Sequence, residues 1–335
     1  MQSMQPSRRQ ILGTAVAGAL LPSLGTAQAA PSRKNVLRIA HLTDIHVQPE
    51  KGAPQGMAKA LEHALGQSHK PDLLLTGGDL IMDSFRASKE RTKEQWAVFH
   101  SVLGKDPGVP VRHTVGNHDV WGWSQFEANK DEPMFGKAWA CHELGLERPY
   151  YSFDQAGWHF IILDSTFPKD GKSFAAKLDE EQFEWLAGDL AATPSETPVF
   201  VSSHIPIISI CSMFDGENEK TGDWVIPGNW VHIDARRIKD LFRKHPNVKI
   251  CISGHEHLLD EVVYNGVHYF CNGAVSAAWW GGDYQEVTYG YTMIDLFDDG
   301  TFENRYVPYG WETVPAAYST PSSASVSRST SFRLL

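Results

Sequence analysis

The sequence predicts an α/β fold, and three observations lead to this expectation. Continuous apolar runs of the length of buried strands recur along the chain. Segments with apolar residues at helical spacing lie between several of these runs. Five runs, near residues 36–40, 71–76, 109–115, 197–203 and 248–252, end in a cluster of polar residues. Because open α/β sheets bind ligands beyond the carboxyl ends of their strands, we expect the five clusters to form one site.

Residues 1–29 have the layout of an export signal. Arg8 and Arg9 precede a Gly- and Ala-rich apolar run to about Leu24, and an A-x-A sequence ends at Ala29. The run is shorter than the roughly 20 apolar residues of a membrane span, so we expect no stable membrane anchor. The paired arginines resemble a twin-arginine signal, which predicts a periplasmic or secreted protein that meets the export machinery already folded. A disordered basic terminus is the alternative interpretation.

We expect the folded domain at residues 30–312 and a disordered tail, rich in Ser, Thr, Ala and Pro, at residues 313–335. The chain has 30 Lys and Arg against 40 Asp and Glu, a formal charge of −10. Residues 1–29 hold two arginines and no acid, so the mature charge is −12. This balance argues against a nucleic-acid duplex as partner but permits a small phosphorylated substrate, since bound cations dominate a local field.

The chain has four cysteines without a C-x-x-C spacing, which argues against a cysteine-based zinc site. An exported protein can form disulfides, and the spacing leaves open whether this one does. The cysteines are Cys141, Cys211, Cys251 and Cys271.

The first strand, 36–40, is followed by Asp44 and His46, whose side chains share one face of an extended segment. A helix at about 57–69 and the strand at 71–76 complete a βαβ unit that ends at Asp79. A second predicted helix, 88–103, leads to the strand at 109–115.

Gly116 then allows a sharp turn. Asn117 offers an amide oxygen, and His118 offers an imidazole, a side chain that can exchange a proton near neutral pH. A metal ligand beside a proton donor suits a metal-assisted hydrolase.

The second half of the chain repeats the pattern. Asp179 and Gln182 are spaced like a capping box at the start of a helix, and Asn265-Gly266 is a strong hairpin signal. Residues 205–233 lack periodicity and are expected to be a long loop or lid beside the site. The strand ends supply His204, His255 and His257. Further elements are expected at 150–153, 158–163, 179–190, 234–245, 261–264, 267–271, 290–297 and 301–307.

The clusters together supply seven oxygen and nitrogen donors and no thiolate, which suits Mn, Fe, Co or Zn. One ion would not use seven ligands, whereas two ions that share a carboxylate would. The candidate ligands are Asp44, His46, Asp79, Asn117, His204, His255 and His257.

The ordered series D-x-H, G-D, G-N-H-D, H and G-H-x-H resembles the calcineurin-like metallophosphoesterase family over about residues 36–275. The resemblance implies a four-layer α-β-β-α sandwich of two mixed sheets flanked by helices. It also implies two metal sites that share Asp79 and a catalytic role for His118. One site would be Asp44, His46, Asp79 and His257, and the other would be Asp79, Asn117, His204 and His255.

Departures from relatives narrow the expected activity. Met82 stands where purple acid phosphatases carry a metal-bound Tyr, and Val115 stands before Gly116 where Ser/Thr protein phosphatases carry Arg. Only 78 residues follow His257, too few for the substrate domain of periplasmic 5′-nucleotidases. What remains resembles the branch of small-molecule phosphodiesterases.

We therefore expect hydrolysis of a phosphodiester, of cyclic-nucleotide or glycerophosphodiester type. The attacking group would be a hydroxide shared by two ions, with His118 as general acid. The alternatives are a phosphomonoesterase of the same family and a non-catalytic phosphate-binding protein.

Five residues near these motifs have two interpretations each. His41 and His113 are expected to be packed or supporting residues rather than ligands. For Trp279-Trp280, packing is favoured over stacking on a substrate ring. Asp119 is expected to fix its loop through backbone hydrogen bonds.

Overall fold

The computed structural model describes residues 33–313. The expected signal peptide at 1–29 lies outside this range, as does the expected tail beyond residue 313. The strands are β1 Asn35–Leu42, β2 Leu73–Thr76, β3 Val111–His113, β4 Tyr151–Gln155, β5 Trp158–Leu163, β6 Thr166–Lys169, β7 Ser173–Ala176, β8 Val199–Ser203, β9 Val248–Ser253, β10 Leu259–Tyr264, β11 Val267–Asn272, β12 Gly290–Phe297 and β13 Phe302–Pro308. The helices are α1 Ala53–Leu65, α2 Lys89–Leu103, α3 Phe126–Asn129, α4 Ala138–Leu144, α5 Glu180–Ala192 and α6 Ala235–Phe242.

Two mixed sheets form the centre of the fold. The five-stranded sheet has the order β13-β12-β1-β2-β3, in which β1, β2 and β3 are parallel and β12 and β13 are antiparallel additions. The six-stranded sheet has the order β10-β11-β9-β8-β5-β4, with four parallel strands between antiparallel edges. The predicted α/β class with two mixed sheets is confirmed.

Alternate residues of the central strands face different hydrophobic clusters. On β1, Ile39 lies in a cluster shared with Phe160 and Phe200 of the other sheet, so the two sheets pack face to face. The neighbouring Ala40 packs on the opposite side, against residues of α1 and α2. The outer face of the six-stranded sheet packs in the same way against α5 and α6. The order of layers is therefore helix, sheet, sheet, helix, which explains why both faces of these strands are apolar.

Several predicted elements agree closely with the structure. Helix α5 begins after Asp179, whose side chain accepts the N–H of Gln182 at 2.8 Å. The Asn265-Gly266 hairpin joins β10 to β11 as expected. Helix α1 begins earlier than predicted, at Ala53, because Pro54 suits the first turn of a helix.

The structure also contains elements that the sequence analysis missed. Strands β6 and β7 form a separate two-stranded sheet around the Asp170-Gly171 pair, both residues having positive φ. That Asp-Gly pair was an available hairpin signal. Helix α3 has only four residues, too few for an amphipathic pattern to show.

The predicted long loop, residues 205–233, contains one short 3-10 turn at Cys211–Met213. Among the described residues, no helix is both long and apolar enough to cross a membrane.

Candidate metal centre

Five strands of the two sheets deliver the candidate side chains. Strands β1, β2 and β3 end just before the D-x-H, G-D and G-N-H-D motifs, and β8 and β9 end just before the H and G-H-x-H motifs. The structure thus brings together polar groups from both sheets at their carboxyl ends. All eight predicted residues are there, namely Asp44, His46, Asp79, Asn117, His118, His204, His255 and His257.

Three overlapping groups of donors have ligand atoms within 4.8 Å of one another: Asp44, His46 and His257; Asp79, His204 and His255; and His46, Asp79 and His118. Asn117 joins the second group, because its Oδ1 lies 3.1 Å from Nε2 of His204. His118 differs from the others in exposure, with 29% of its side chain accessible against 0–2% for His46, Asp79 and His204.

Backbone carbonyls orient the buried imidazoles. Nδ1 of His204 lies 2.8 Å from the Gly77 carbonyl, and Nδ1 of His257 is hydrogen-bonded to the Ala277 carbonyl. A carbonyl can only accept, so Nδ1 of each ring carries a proton, and Nε2 is the nitrogen left to bind a metal ion. Nε2 of His257 lies 3.1 Å from Nε2 of His46. Nδ1 of His46 lies 3.4 Å from the Met82 carbonyl, so His46 also presents its Nε2, and two imidazole nitrogens that face each other in this way fit a metal ion between them.

Asp79 lies between the groups of donors. Its Oδ2 is 3.2 Å from Nε2 of His204, 3.7 Å from Nε2 of His46 and 4.0 Å from Nε2 of His118. Its Oδ1 accepts the backbone N–H of His118 at 2.7 Å. The turn that carries His118 is therefore tied to the carboxylate that reaches both sides of the site.

Burial and charge shift the ionisation of these groups. Burial lowers the pKa of His204, but the adjacent Asp79 carboxylate outweighs it and raises that pKa to about 9. Burial also lowers the pKa of His255 to about 3, with a further contribution from His204. Nδ1 of His255 is buried and has no hydrogen-bond partner. A neutral imidazole can bind a metal ion, and a bound ion would compensate for the missing hydrogen bond in this buried position.

The backbone is unusual where the donors lie. Asp44, His46, Asp79, His255 and His257 have φ angles of 53°, 45°, 52°, 72° and 57°. Residues other than glycine rarely adopt these left-handed backbone angles, and those that do are concentrated at functional sites. Close packing accompanies these turns, since a Cβ on Gly116 would lie 2.2 Å from Oδ1 of Asp79.

Asp119 holds the turn that carries His118. Its Oδ1 accepts the N–H of Leu80 at 2.8 Å, and its Oδ2 accepts the N–H of Gly116 at 2.9 Å. Burial and the neighbouring Asp79 raise the pKa of Asp119 to about 7. The predicted role of Asp119, loop fixation by backbone hydrogen bonds, agrees with these contacts.

His41 and His113 are packed residues. Nδ1 of His41 lies 3.2 Å from the amide nitrogen of Asn272, and burial lowers the pKa of His41 to about 3. Nδ1 of His113 lies 2.9 Å from Oγ1 of Thr76, and burial lowers its pKa to about 4. Both were expected to be packed or supporting residues, and neither belongs to the three groups of donors.

The adjacent tryptophans have separate positions. Trp280 is buried, and its Nε1–H donates to the carbonyls of Ile45 at 3.1 Å and His46 at 3.0 Å. Trp279 is partly exposed, with its ring centroid 4.4 Å from that of His257 and 5.9 Å from that of His46. The packing interpretation therefore holds for Trp280, whereas Trp279 borders the donors. The sequence could not separate them, because the assignment depends on the positive φ of both residues.

Two aromatic residues near the site were missed by the sequence analysis. The Tyr284 ring lies 5.5 Å from that of Trp279, and its hydroxyl donates to Asp215 of the 205–233 loop. Phe174 lies 6.3 Å from the His255 ring on the other side. Phe174 belongs to the β6–β7 hairpin, whose Asp-Gly signal could have indicated it, whereas Tyr284 lies in a segment without regular structure.

Known proteins resemble this chain. A probable cyclic nucleotide phosphodiesterase of Synechococcus sp. is 26% identical over 276 residues, which cover 80% of this chain and 91% of that protein. Purple acid phosphatase 22 of Arabidopsis thaliana is 25% identical over 230 residues, 64% of this chain. This chain spans only 44% of the length of that phosphatase.

Solved structures share the fold. A dimetal phosphatase from Danio rerio superposes with a TM-score of 0.56 at 14% identity, over 82% of this chain and 100% of that one. GAP50, described as the anchor in the inner membrane complex of Plasmodium, has a TM-score of 0.54 at 15% identity, over 83% and 86%. Residues 37–259 match the sequence model of the calcineurin-like phosphoesterases. This match agrees with the two-sheet fold and with the arrangement of candidate metal ligands. The chain therefore belongs to the calcineurin-like phosphoesterase family of metal-dependent hydrolases.

Proposed function

We propose that this protein is a dinuclear-metal-dependent hydrolase of small-molecule phosphodiesters. The observation that carries the proposal is the convergence of buried oxygen and nitrogen donors from both sheets around one carboxylate, Asp79. A half-buried imidazole, His118, lies beside that carboxylate and is more open to a substrate than the other donors. A buried ligand set next to an accessible proton donor suits hydrolysis better than passive binding of phosphate.

The ligands would divide into two sets that share Asp79. The geometry supports one set around His46 and His257 and another around His204 and His255. When bound, the two ions would supply Lewis acidity and an activated water for attack on phosphorus. The metals remain Mn, Fe, Co or Zn, since oxygen and nitrogen donors do not choose among them. The first set is Asp44, His46, Asp79 and His257; the second is Asp79, Asn117, His204 and His255.

His118 would protonate the leaving oxygen. Its Nδ1 donates to the Met82 carbonyl at 2.8 Å, so Nε2 is the nitrogen that remains for proton transfer. Nε2 lies 4.0 Å from Oδ2 of Asp79. His118 also falls in a group with His46 and Asp79 that could hold an ion, so a ligand role is the competing assignment.

The preference for diesters rests on two observations. The Synechococcus relative, which this chain spans almost completely, is described as a probable cyclic nucleotide phosphodiesterase. Position 82 is a methionine, so it offers no phenolic ligand, and its carbonyl instead orients His118. The Arabidopsis relative, a purple acid phosphatase, favours the alternative of a phosphomonoesterase.

A single variant separates proton transfer from metal binding. We expect His118→Ala to retain both metals and to lose about 10²–10⁴-fold in rate on an alkyl phosphodiester. The loss should be much smaller on a p-nitrophenyl diester, because that leaving group needs little protonation. Metal content comes from elemental analysis, and His142→Ala, at an exposed histidine of α4, is the control.

Three other results would each contradict a part of the proposal. A parallel fall in metal content and rate would make His118 a ligand. Equal losses on both diesters would give it an orienting role. If fully metallated wild-type protein hydrolyses neither diesters nor monoesters from a panel that includes cyclic nucleotides, glycerophosphodiesters and nucleoside monophosphates, a phosphate-binding role replaces the enzyme proposal.

We also propose export to the periplasm through the twin-arginine type signal at residues 1–29, on the basis of Arg8-Arg9 and the following apolar run. N-terminal sequencing of the protein from the periplasmic fraction should show a mature start at Ala30. An intact Met1 in the cytoplasmic fraction would contradict this proposal.

A further inference from the structure

Two of the four cysteines meet beside the metal centre without belonging to it. Cys211 begins the 3-10 turn in the 205–233 loop, and Cys271 lies on β11. They are 5% and 2% exposed and share a small buried cluster with Leu258 and Val287. Residues 211 and 271 are distant in sequence, so their proximity results from the docking of the loop on the six-stranded sheet.

One carboxylate holds the backbones of both cysteines. Oδ2 of Asp260 accepts the N–H of Ile210 at 2.7 Å and of Cys211 at 2.9 Å. Oδ1 of the same carboxylate accepts the N–H of Cys271 at 3.0 Å. Oδ2 also accepts the hydroxyl of Ser209 at 2.8 Å. Both cysteine backbones are thus fixed to one group, which restricts the distance between their side chains.

The side chains of both cysteines also have polar neighbours, and Oγ of Ser209 lies 3.1 Å from Sγ of Cys211. The Cys211 thiol, together with burial, raises the pKa of the Cys271 thiol well above its usual range. The Cys271 thiol donates to the Gly254 carbonyl at 3.2 Å, at the start of the segment that carries His255 and His257. Both cysteines are free thiols in this structure.

The other two cysteines lack this arrangement. Cys251 on β9 packs in the cluster beneath α5 and α6, on the outer face of the six-stranded sheet. Cys141 lies on α4. Within residues 33–313, Cys211 and Cys271 are therefore the pair placed for a covalent bond.

We propose that Cys211 and Cys271 form a disulfide that joins the 205–233 loop to β11. With glutathione disulfide as oxidant, the Cys211 thiolate attacks one sulfur and releases one glutathione. Cys271 then attacks the Cys211 sulfur of the mixed disulfide, and the second glutathione leaves. Each protein thiol loses one proton, and the two electrons reduce glutathione disulfide to two glutathiones.

The bond would hold the loop against the six-stranded sheet beside the Gly254–His257 segment. The loop has a second contact there, the hydrogen bond from Tyr284 to Asp215. Burial slows the reaction, because the thiolate is the nucleophile and buried thiols stay protonated. Oxidation is therefore expected to be slow in the folded protein and fast when the chain refolds in an oxidising buffer.

Peptide mapping of the full chain tests the proposal without any activity assay. One sample is incubated folded with glutathione disulfide, and a second is refolded from denaturant in a glutathione redox buffer. Free thiols are then alkylated in denaturant before digestion. We expect a peptide that links Cys211 to Cys271, with Cys141 and Cys251 alkylated, and loss of the link after treatment with dithiothreitol.

The thermal midpoint provides a second readout. The oxidised protein should unfold about 4–8 °C higher than the reduced protein. Cys271→Ala should abolish this difference, whereas Cys251→Ala, an equally buried control on β9, should keep it. Four alkylated cysteines in both samples, or a link from Cys211 to another cysteine, would overturn the proposal. Because the mapping uses the unmodified protein, a variant that fails to fold does not affect that result.

Discussion

Gly56 of α1 offers a sharp test of how the fold supports the site. A Cβ at this position would lie 2.1 Å from Cζ3 of Trp280, closer than real Cβ contacts. Trp280 has little freedom to move, since it is buried and bound to the carbonyls of Ile45 and His46. A methyl group at residue 56 would therefore push on the turn that carries a candidate ligand.

Two opposing effects decide the stability of Gly56→Ala. Replacing glycine with alanine inside a helix usually stabilises a protein by about 0.5–1 kcal/mol. Overpacking a filled core costs about 1–3 kcal/mol, so the steric overlap with Trp280 should outweigh the gain in helix propensity. Gly188 of α5 is a matched control, because a Cβ there meets nothing within 4 Å. In the difference in unfolding free energy between Gly56→Ala and Gly188→Ala, the gain in helix propensity cancels. The cost of the steric overlap with Trp280 remains, about 1–3 kcal/mol.

Urea unfolding of the two variants and the wild type measures this difference. We expect Gly188→Ala to be more stable than wild type and Gly56→Ala to be less stable. Metal content should fall in Gly56→Ala alone, because Trp280 would no longer hold the His46 turn. Equal stabilisation by both substitutions would show that Trp280 moves aside freely, and the reasoning would be refuted.

Three further outcomes are expected. Asp79→Asn should lose more metal than any substitution of an unshared ligand, and two ions retained in elemental analysis would contradict its bridging role. His159→Gln should cost about 1–2 kcal/mol at pH 6 and less at pH 9 in urea unfolding, since the hydrogen bond to Asp189 raises the pKa of His159. Because the pKa of His159 is raised in the folded protein, its ion pair stabilises the fold fully below the unfolded pKa of about 6.5, and this stabilisation is lost as pH rises through the folded pKa. An equal cost of the substitution at both pH values would therefore refute the ion pair. Trp279→Leu should raise the KM of an aryl diester several-fold more than the KM of an alkyl diester, because stacking of the substrate ring on Trp279 contributes about 0.5–1.5 kcal/mol. An equal effect on the two substrates would mean that Trp279 only packs on His257.

Local patterns were sufficient to predict where the polar clusters lie. A continuous apolar run ends where the backbone leaves the sheet, so Asp79 and His204 could be placed at strand ends from the sequence alone. All eight candidate residues meet in the structure, while their division between two ions stays a proposal.

Long-range relations were not predictable in the same way. The sequence of an apolar run does not indicate which sheet the strand joins. Strand β12, for example, pairs with β1 although more than 200 residues separate them. The meeting of Cys211 with Cys271 depends on the docking of a loop without periodicity. The different positions of Trp279 and Trp280 depend on left-handed backbone angles that local propensity disfavours.

The five candidate ligands with left-handed backbone angles affect the stability of the whole molecule. Each non-glycine residue in that region costs about 1 kcal/mol or more, so the five donors together cost on the order of 5 kcal/mol. Folded domains are stable by only about 5–15 kcal/mol, so the apolar interior between the sheets must supply a matching surplus. Glycine at any of the five positions would relieve strain in the metal-free protein and remove a donor at the same time. Selection for stability and selection for chemistry therefore act on the same five residues in opposite directions.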